Sequence, residues 1–240
     1  MSVEFLPCGD TALVVQFGDR IDRTLSERVL RLNANLRAAA LPGVVETVPT
    51  FRSLMVHYDP LATSAAALTG AIETLLEREG SFHRAAKLWR VPVCYEGDYA
   101  PDLEEVAKAT ALRPEEVVAL HSGTRYHVYM IGFLPGYPYM GDLPEKLRLP
   151  RRADPRVRVP PGSVAIATAM TAVYTLESPG GWHLIGATPV AFFDPARRPP
   201  ALLAPGDGVV FEPVAAARYA ELREAVRSGA YEMRWEPLAA

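Results

Sequence analysis

Four arginines fall within eight residues in the segment Pro150-Arg151-Arg152-Ala153-Asp154-Pro155-Arg156-Val157-Arg158. Guanidinium groups are planar, permanently charged donors that clasp a carboxylate or phosphate in bidentate fashion, which makes Arg151 and Arg156 candidate anion ligands. A solvated basic loop would have the same composition. Gly162-Ser163, just downstream, adds to the case for a site, because backbone amides and a hydroxyl can complete an oxyanion or phosphate nest. A second segment, Gly132-Phe133-Leu134-Pro135-Gly136-Tyr137-Pro138-Tyr139, joins aromatic rings to glycine and proline. Glycine permits close backbone approach and proline limits the entropy of ordering, so Gly132, Phe133, Pro135, Gly136 and Tyr139 suit a ligand wall. They also suit an aromatic-packed corner, and spacing alone favours the corner. A third segment, Ser178-Pro179-Gly180-Gly181-Trp182-His183, makes a sharp turn beside a large aromatic. There Gly180 and Gly181 expose amides next to Ser178, while Trp182 and His183 either shape a pocket or cover the core.

Other chemistries lack their motifs. The chain has no GxxxxGK[ST] loop, no dinucleotide-binding fingerprint, no HExxH and no GxSxG elbow among its 240 residues. For its five histidines, a hydrogen-bonded structural role is the ordinary expectation. A formal net charge of -3 gives no general attraction to nucleic acid. The N-terminus lacks a charged leader, and no apolar run reaches the ~18 residues of a membrane span, so a cytoplasmic location is expected. Cys8 and Cys94 lie too far apart in sequence for a CxxC pair and suggest buried free thiols. With 49% hydrophobic and 22% charged residues, the chain has the composition of a folded globular protein.

The elements that must position these segments fall into two regions. Thr11 to Phe17 reads as a strand, followed by Leu25, Val29, Leu32 and Leu36 at helical spacing. Val44 to Val48 and Leu54 to Tyr58 read as two further strands. A second helix carries Leu68, Ile72, Leu75 and Leu76 and stops at Gly80. This order predicts a small ferredoxin-like α/β sandwich over residues 1–87, with the boundary near Ser81 to Lys87. From Leu88 onward proline and glycine become frequent. Asp102 with Glu105 resembles an N-cap and its reciprocal partner, and Pro114-Glu115-Glu116 fits a helix start. Strand candidates follow at Tyr126–Phe133, Val164–Thr168, Val173–Leu176, His183–Ile185, Pro189–Asp194 and Gly208–Glu212, with a last helix over Ala215–Arg227 and an extended piece over Tyr231–Trp235. Residues 88–240 are therefore expected to form an antiparallel barrel or sandwich. The fold class is α+β.

One ordered series runs through the second region: His121, Tyr126, Gly132-Phe133-Leu134-Pro135-Gly136-Tyr137, Pro150-Arg151, Pro155-Arg156, Val159-Pro160, Gly162-Ser163-Val164, Ser178-Pro179-Gly180-Gly181-Trp182 and Thr188-Pro189. It resembles the KipI family, the B subunits of 5-oxoprolinases, densely between residues 121 and 194 and weakly before. The resemblance implies a cyclophilin-like β-barrel for the second domain and pairing with KipA, the C-type component of such complexes. It implies a role in ATP-dependent activation of 5-oxo-L-proline, with Mg²⁺ accompanying the nucleotide and a separate A-type component completing hydrolysis to glutamate. It adds His121 and Tyr126 to the candidate substrate- or nucleotide-binding residues. Two alternatives accompany the family: inhibition of a sensor histidine kinase, and a carboxyltransferase role on urea-like amides. The chain departs from the family at Met170, where glutamine is expected before Thr171, and at Ala187, where arginine usually precedes Thr188. Both changes remove polar groups, which implies a different substrate or a site furnished mainly by the partner.

Overall fold

In a computed structural model, residues 3–77 and 86–238 are described. The chain divides into two compact units, Met1–Arg84 and Ala85–Ala240. The helix stop expected at Gly80, and residues 81–85 of the expected boundary, lie outside the described residues. Among the described residues no helix is long and apolar enough to cross a membrane.

The first unit contains β1 (Glu4–Pro7), β2 (Ala12–Gln16), α1 (Arg23–Ala39), β3 (Val44–Pro49), β4 (Ser53–Tyr58) and α2 (Ala65–Leu76). Helix α1 begins where the Asp22 carboxylate accepts from the amides of Thr24 and Leu25 at 2.9 and 3.3 Å, satisfying two of the open donors of a first turn. Its stripe of Leu25, Val29, Leu32 and Leu36 is buried together with Leu68, Ile72 and Leu75 of α2, against Leu13, Val15, Leu54 and Val56 of the sheet. Each such aliphatic side chain contributes about 1.5–3 kcal/mol by leaving water. The sheet order is β1-β2-β4-β3, antiparallel throughout. The run from β2 to α2 follows ferredoxin-like succession, and β1 takes the edge beside β2 that a final strand would fill. Strand β1 was not anticipated from the sequence.

The second unit contains β5 (Lys87–Val93), α3 (Leu103–Ala109), α4 (Pro114–Ser122), β6 (Tyr126–Ile131), β7 (Pro138–Gly141), β8 (Arg156–Val159), β9 (Ser163–Ala167), β10 (Met170–Val173), β11 (Ser178–Gly180), β12 (His183–Ala187), β13 (Gly208–Pro213), α5 (Ala216–Arg227) and β14 (Arg234–Pro237). The main sheet runs β12-β9-β10-β7-β6-β13-β5-β14, and β8 pairs with β11 as a separate ribbon. The strand expected at Pro189–Asp194 is reduced to a bridge between Phe193 and Ala201.

The expected antiparallel barrel requires two corrections. Strands β5 and β13 are parallel, from Gly208 opposite Leu88 to Pro213 opposite Val93, so the sheet is mixed. The ladder also does not close. Strand β14 covers the outer edge of β5 over residues 87–90, leaving residues 91–93 and the chain just beyond β5 for another strand. There Cys94 and Ala187, at the end of β12, exchange two backbone hydrogen bonds of 2.8 and 2.9 Å. A single bridge thus stands where a closed barrel would have a continuous ladder.

Candidate functional site

His121, near the end of α4, is fully buried, and both ring nitrogens are occupied. The Thr171 hydroxyl donates to the Ala165 carbonyl at 3.0 Å, so it accepts from His121 Nε2 at 2.9 Å. That leaves Nδ1 as the acceptor for the Tyr95 hydroxyl at 2.8 Å. The ring stacks on Phe211 at 4.8 Å, and the buried Tyr126 hydroxyl donates to the His121 carbonyl at 3.0 Å. Burial pushes the imidazole pKa down to about 3, so the ring stays neutral. His121 and Tyr126 therefore tie α4 to the sheet and have no free polar atom to offer a ligand.

The four arginines divide sharply. Asp102, whose side chain is 3% exposed, accepts from Arg156 through Nη1 at 2.8 Å and Nη2 at 2.5 Å, from Arg152 Nη1 at 3.1 Å, and from the Leu184 amide at 2.6 Å. Its own amide donates to the Leu184 carbonyl at 3.0 Å. Arg152 also reaches Glu105 at 2.9 Å, and the exposed Arg158 pairs with Glu177 at 2.7 Å. The capping pair read from Asp102 and Glu105 is therefore absent: the Asp102 side chain makes no cap bond, and both carboxylates face arginine. Of the four, Arg151 alone has no carboxylate partner among the described residues, and it is exposed.

The Arg151 charge acts on three tyrosines of one aromatic cluster. Tyr137 meets Tyr139, Tyr174 and Phe133 edge-on at 5.1, 5.3 and 5.3 Å, and Trp182 approaches Tyr139 and Tyr137 at 6.1 and 6.5 Å. Such edge-to-face pairs are a favoured aromatic geometry. Burial raises the pKa of Tyr137, Tyr139 and Tyr174, and the Arg151 charge opposes that rise in all three. The phenols stay protonated at neutral pH. Phe133 is 61% exposed and holds a left-handed φ of 67°, a backbone conformation that non-glycine residues adopt at a cost.

Backbone contacts explain why these segments meet. The 132–137 loop closes on itself through Gly132 N to Tyr137 O at 3.0 Å and Tyr137 N to Leu134 O at 3.0 Å. The Thr175 hydroxyl fastens it by donating to the Pro135 carbonyl at 2.8 Å. Gly136 adopts φ 71°, with an added Cβ meeting Phe193 Cβ at 2.8 Å, so this turn must be glycine. At Gly180 a Cβ would lie 2.2 Å from the Tyr174 hydroxyl. On the other side, Arg152 N donates to Gly181 O at 2.8 Å and His183 Nε2 to Pro150 O at 3.0 Å, laying the arginine segment along the Trp182 turn.

Several expected ligands therefore hold the frame instead. The Gly162 amide donates to Tyr174 O at 2.7 Å and the Ser163 amide to Pro160 O at 3.3 Å, while the Ser163 hydroxyl also donates to Pro160 O at 2.8 Å. The Gly162 amide thus braces Tyr174 and the Ser163 donors close the turn at Pro160, so these groups do not form the nest read from the sequence. Ser178 Oγ and His183 Nδ1 are buried without a hydrogen-bond partner among the described residues. Met170 is buried in β10, and Ala187 sits in the bridge to Cys94. Asp102 and Tyr174 lie outside the three segments that the sequence points to. No local spacing connects Asp102 with arginines 50 and 54 residues downstream.

The profile of the carboxyltransferase domain, subdomain C and D, matches residues 3–203. The chain belongs to that family. Among carboxyltransferase-domain relatives, the 5-oxoprolinase B subunit of Bacillus subtilis is 38% identical over 227 residues, covering 90% of this chain and 95% of the relative. The 5-oxoprolinase B subunit of Escherichia coli O157:H7 is 40% identical over 205 residues, covering 85% and 93%. The solved structure of TTHA0988 superposes with a TM-score of 0.76 at 38% identity, over 85% of this chain and 40% of that longer one. No group of three His, Cys, Asp or Glu side chains that could hold a metal ion occurs among the described residues of this family member.

Proposed function

We propose that the chain is the B subunit of an ATP-dependent 5-oxoprolinase complex, acting on 5-oxo-L-proline together with A-type and C-type (KipA) components. The observation that carries this reading is the 38% identity that spans 95% of the Bacillus subtilis relative. The geometry agrees with a share of a site. An unpaired guanidinium next to a wall of aromatic rings suits a small cyclic amide bearing one carboxylate, with the rings excluding water and Arg151 taking the anion. The amides of Gly162 and Ser163 are engaged within the backbone, so they cradle no phosphate.

A lactam is hard to open because amide resonance must be broken and nitrogen expelled. Holding the carboxylate in place lowers the entropic cost of meeting the groups that activate the carbonyl. This chain's part is to bind and orient. The test is to purify it with its A-type and C-type partners and measure glutamate formed from 5-oxo-L-proline and ATP. Glutamate that depends on this chain is the expected result; none from the complete set overturns the reading.

A further inference from the structure

We propose that Asp102 is the positioning residue of this site: by holding Arg152, Arg156 and the Leu184 amide, it leaves Arg151 as the cation available to an anionic substrate. The inference rests on the 5-oxoprolinase reading for the identity of the substrate. It rests on geometry for the rest. One buried carboxylate joins three points of the frame, at 152, 156 and 184. Two of them flank Arg151 and Trp182 in the chain: Arg152 adjoins Arg151, and Leu184 follows two residues after Trp182. Because the bond from Arg152 N to Gly181 O joins the same two stretches, the placement of Arg151 relative to the Trp182 turn depends on that knot.

The arrangement also selects among like charges. A segment with four arginines would offer an oxyanion several competing clasps, each placing it differently. With Arg152 and Arg156 paired to Asp102, and Arg158 to Glu177, an incoming carboxylate meets one. Removing the Asp102 charge frees the Arg156 guanidinium, which has no other carboxylate partner among the described residues, while Arg152 keeps only Glu105, and the bond to the Leu184 amide loses its charged acceptor. Substrate then binds in the wrong place as well as more weakly. Chemistry in correctly bound molecules is unaffected, which separates this role from a catalytic one.

The test has two arms. In the reconstituted complex with ATP saturating, Asp102→Asn is expected to raise KM for 5-oxo-L-proline about tenfold with kcat within about threefold, and Asp102→Glu, which keeps the charge, to return KM most of the way. The second arm needs no activity: phenylglyoxal labelling of the full chain, mapped by mass spectrometry, should modify Arg151 and spare Arg156 in the wild type, and modify both in Asp102→Asn. A folded Asp102→Asn complex with wild-type KM overturns the proposal. So does equal labelling of Arg151 and Arg156 in the wild type, a result that stands even if the variant does not fold. If the wild-type complex forms no glutamate, the 5-oxoprolinase reading fails, and the labelling still decides what Asp102 does.

Discussion

His121 and Arg151 belong to the same unit and the same motif series, yet one is sealed inside with both ring nitrogens partnered, while the other stands exposed with no carboxylate partner among the described residues. The contrast teaches that a polar residue in a family motif serves the fold when its hydrogen bonds close within the protein. It is available for a ligand when they do not. Tyr95, His121 and Thr171 form a chain that ends on a backbone carbonyl, so nothing remains to bind. Around Arg151 the neighbours are rings, which shape a surface and leave the charge unanswered.

Breaking the sealed cluster should have the largest effect. His121→Ala leaves the Tyr95 and Thr171 hydroxyls without the ring and opens a cavity, so unfolding in urea should show a loss of about 3–5 kcal/mol. Gly162→Ala tests the frame that joins the two clusters. Its φ of 84° and a Cβ 2.5 Å from the Thr188 carbonyl predict a loss of about 2–3 kcal/mol by the same measurement.

The pH dependence sharpens the sealed side further. The folded His121 pKa of about 3 lies below the ordinary 6.5, so between these values the unfolded chain binds a proton that the folded chain refuses. Stability from this group is complete above about pH 6.5 and falls as pH drops, by about 1.4 kcal/mol per pH unit and so about 2 kcal/mol by pH 5. His121→Gln should lack that slope when the two proteins are compared across the same pH range. Smallest of all is Arg158→Ala, which removes an exposed pair to Glu177. Its effect on stability should stay below about 1 kcal/mol, and a calorimetric melting scan should barely distinguish it from wild type.

Much of the fold was legible because the relevant patterns are local. Leu54, Val56 and Tyr58 alternate as a half-buried strand must, and the α1 stripe repeats at helical spacing. The parallel pairing of β5 with β13 was not legible, since about 120 residues separate the partners and no local rule specifies it. The site shows the same division. The aromatic loop, the arginine segment and the Trp182 turn were found as three pieces, and the rings of Phe133, Tyr139 and Trp182 do converge. What the sequence could not tell was which arginine is free. That depends on Asp102, whose spacing to Glu105 mimicked a helix cap while its carboxylate answered charges 50 and 54 residues away.

The most direct test of the account is the steady-state rate of glutamate formation by the reconstituted complex carrying Arg151→Ala. An exposed side chain with no ion pair among the described residues contributes little to folding, so melting should be unchanged, while kcat/KM for 5-oxo-L-proline should fall about 100-fold. A folded Arg151→Ala complex that turns over at the wild-type rate would contradict it.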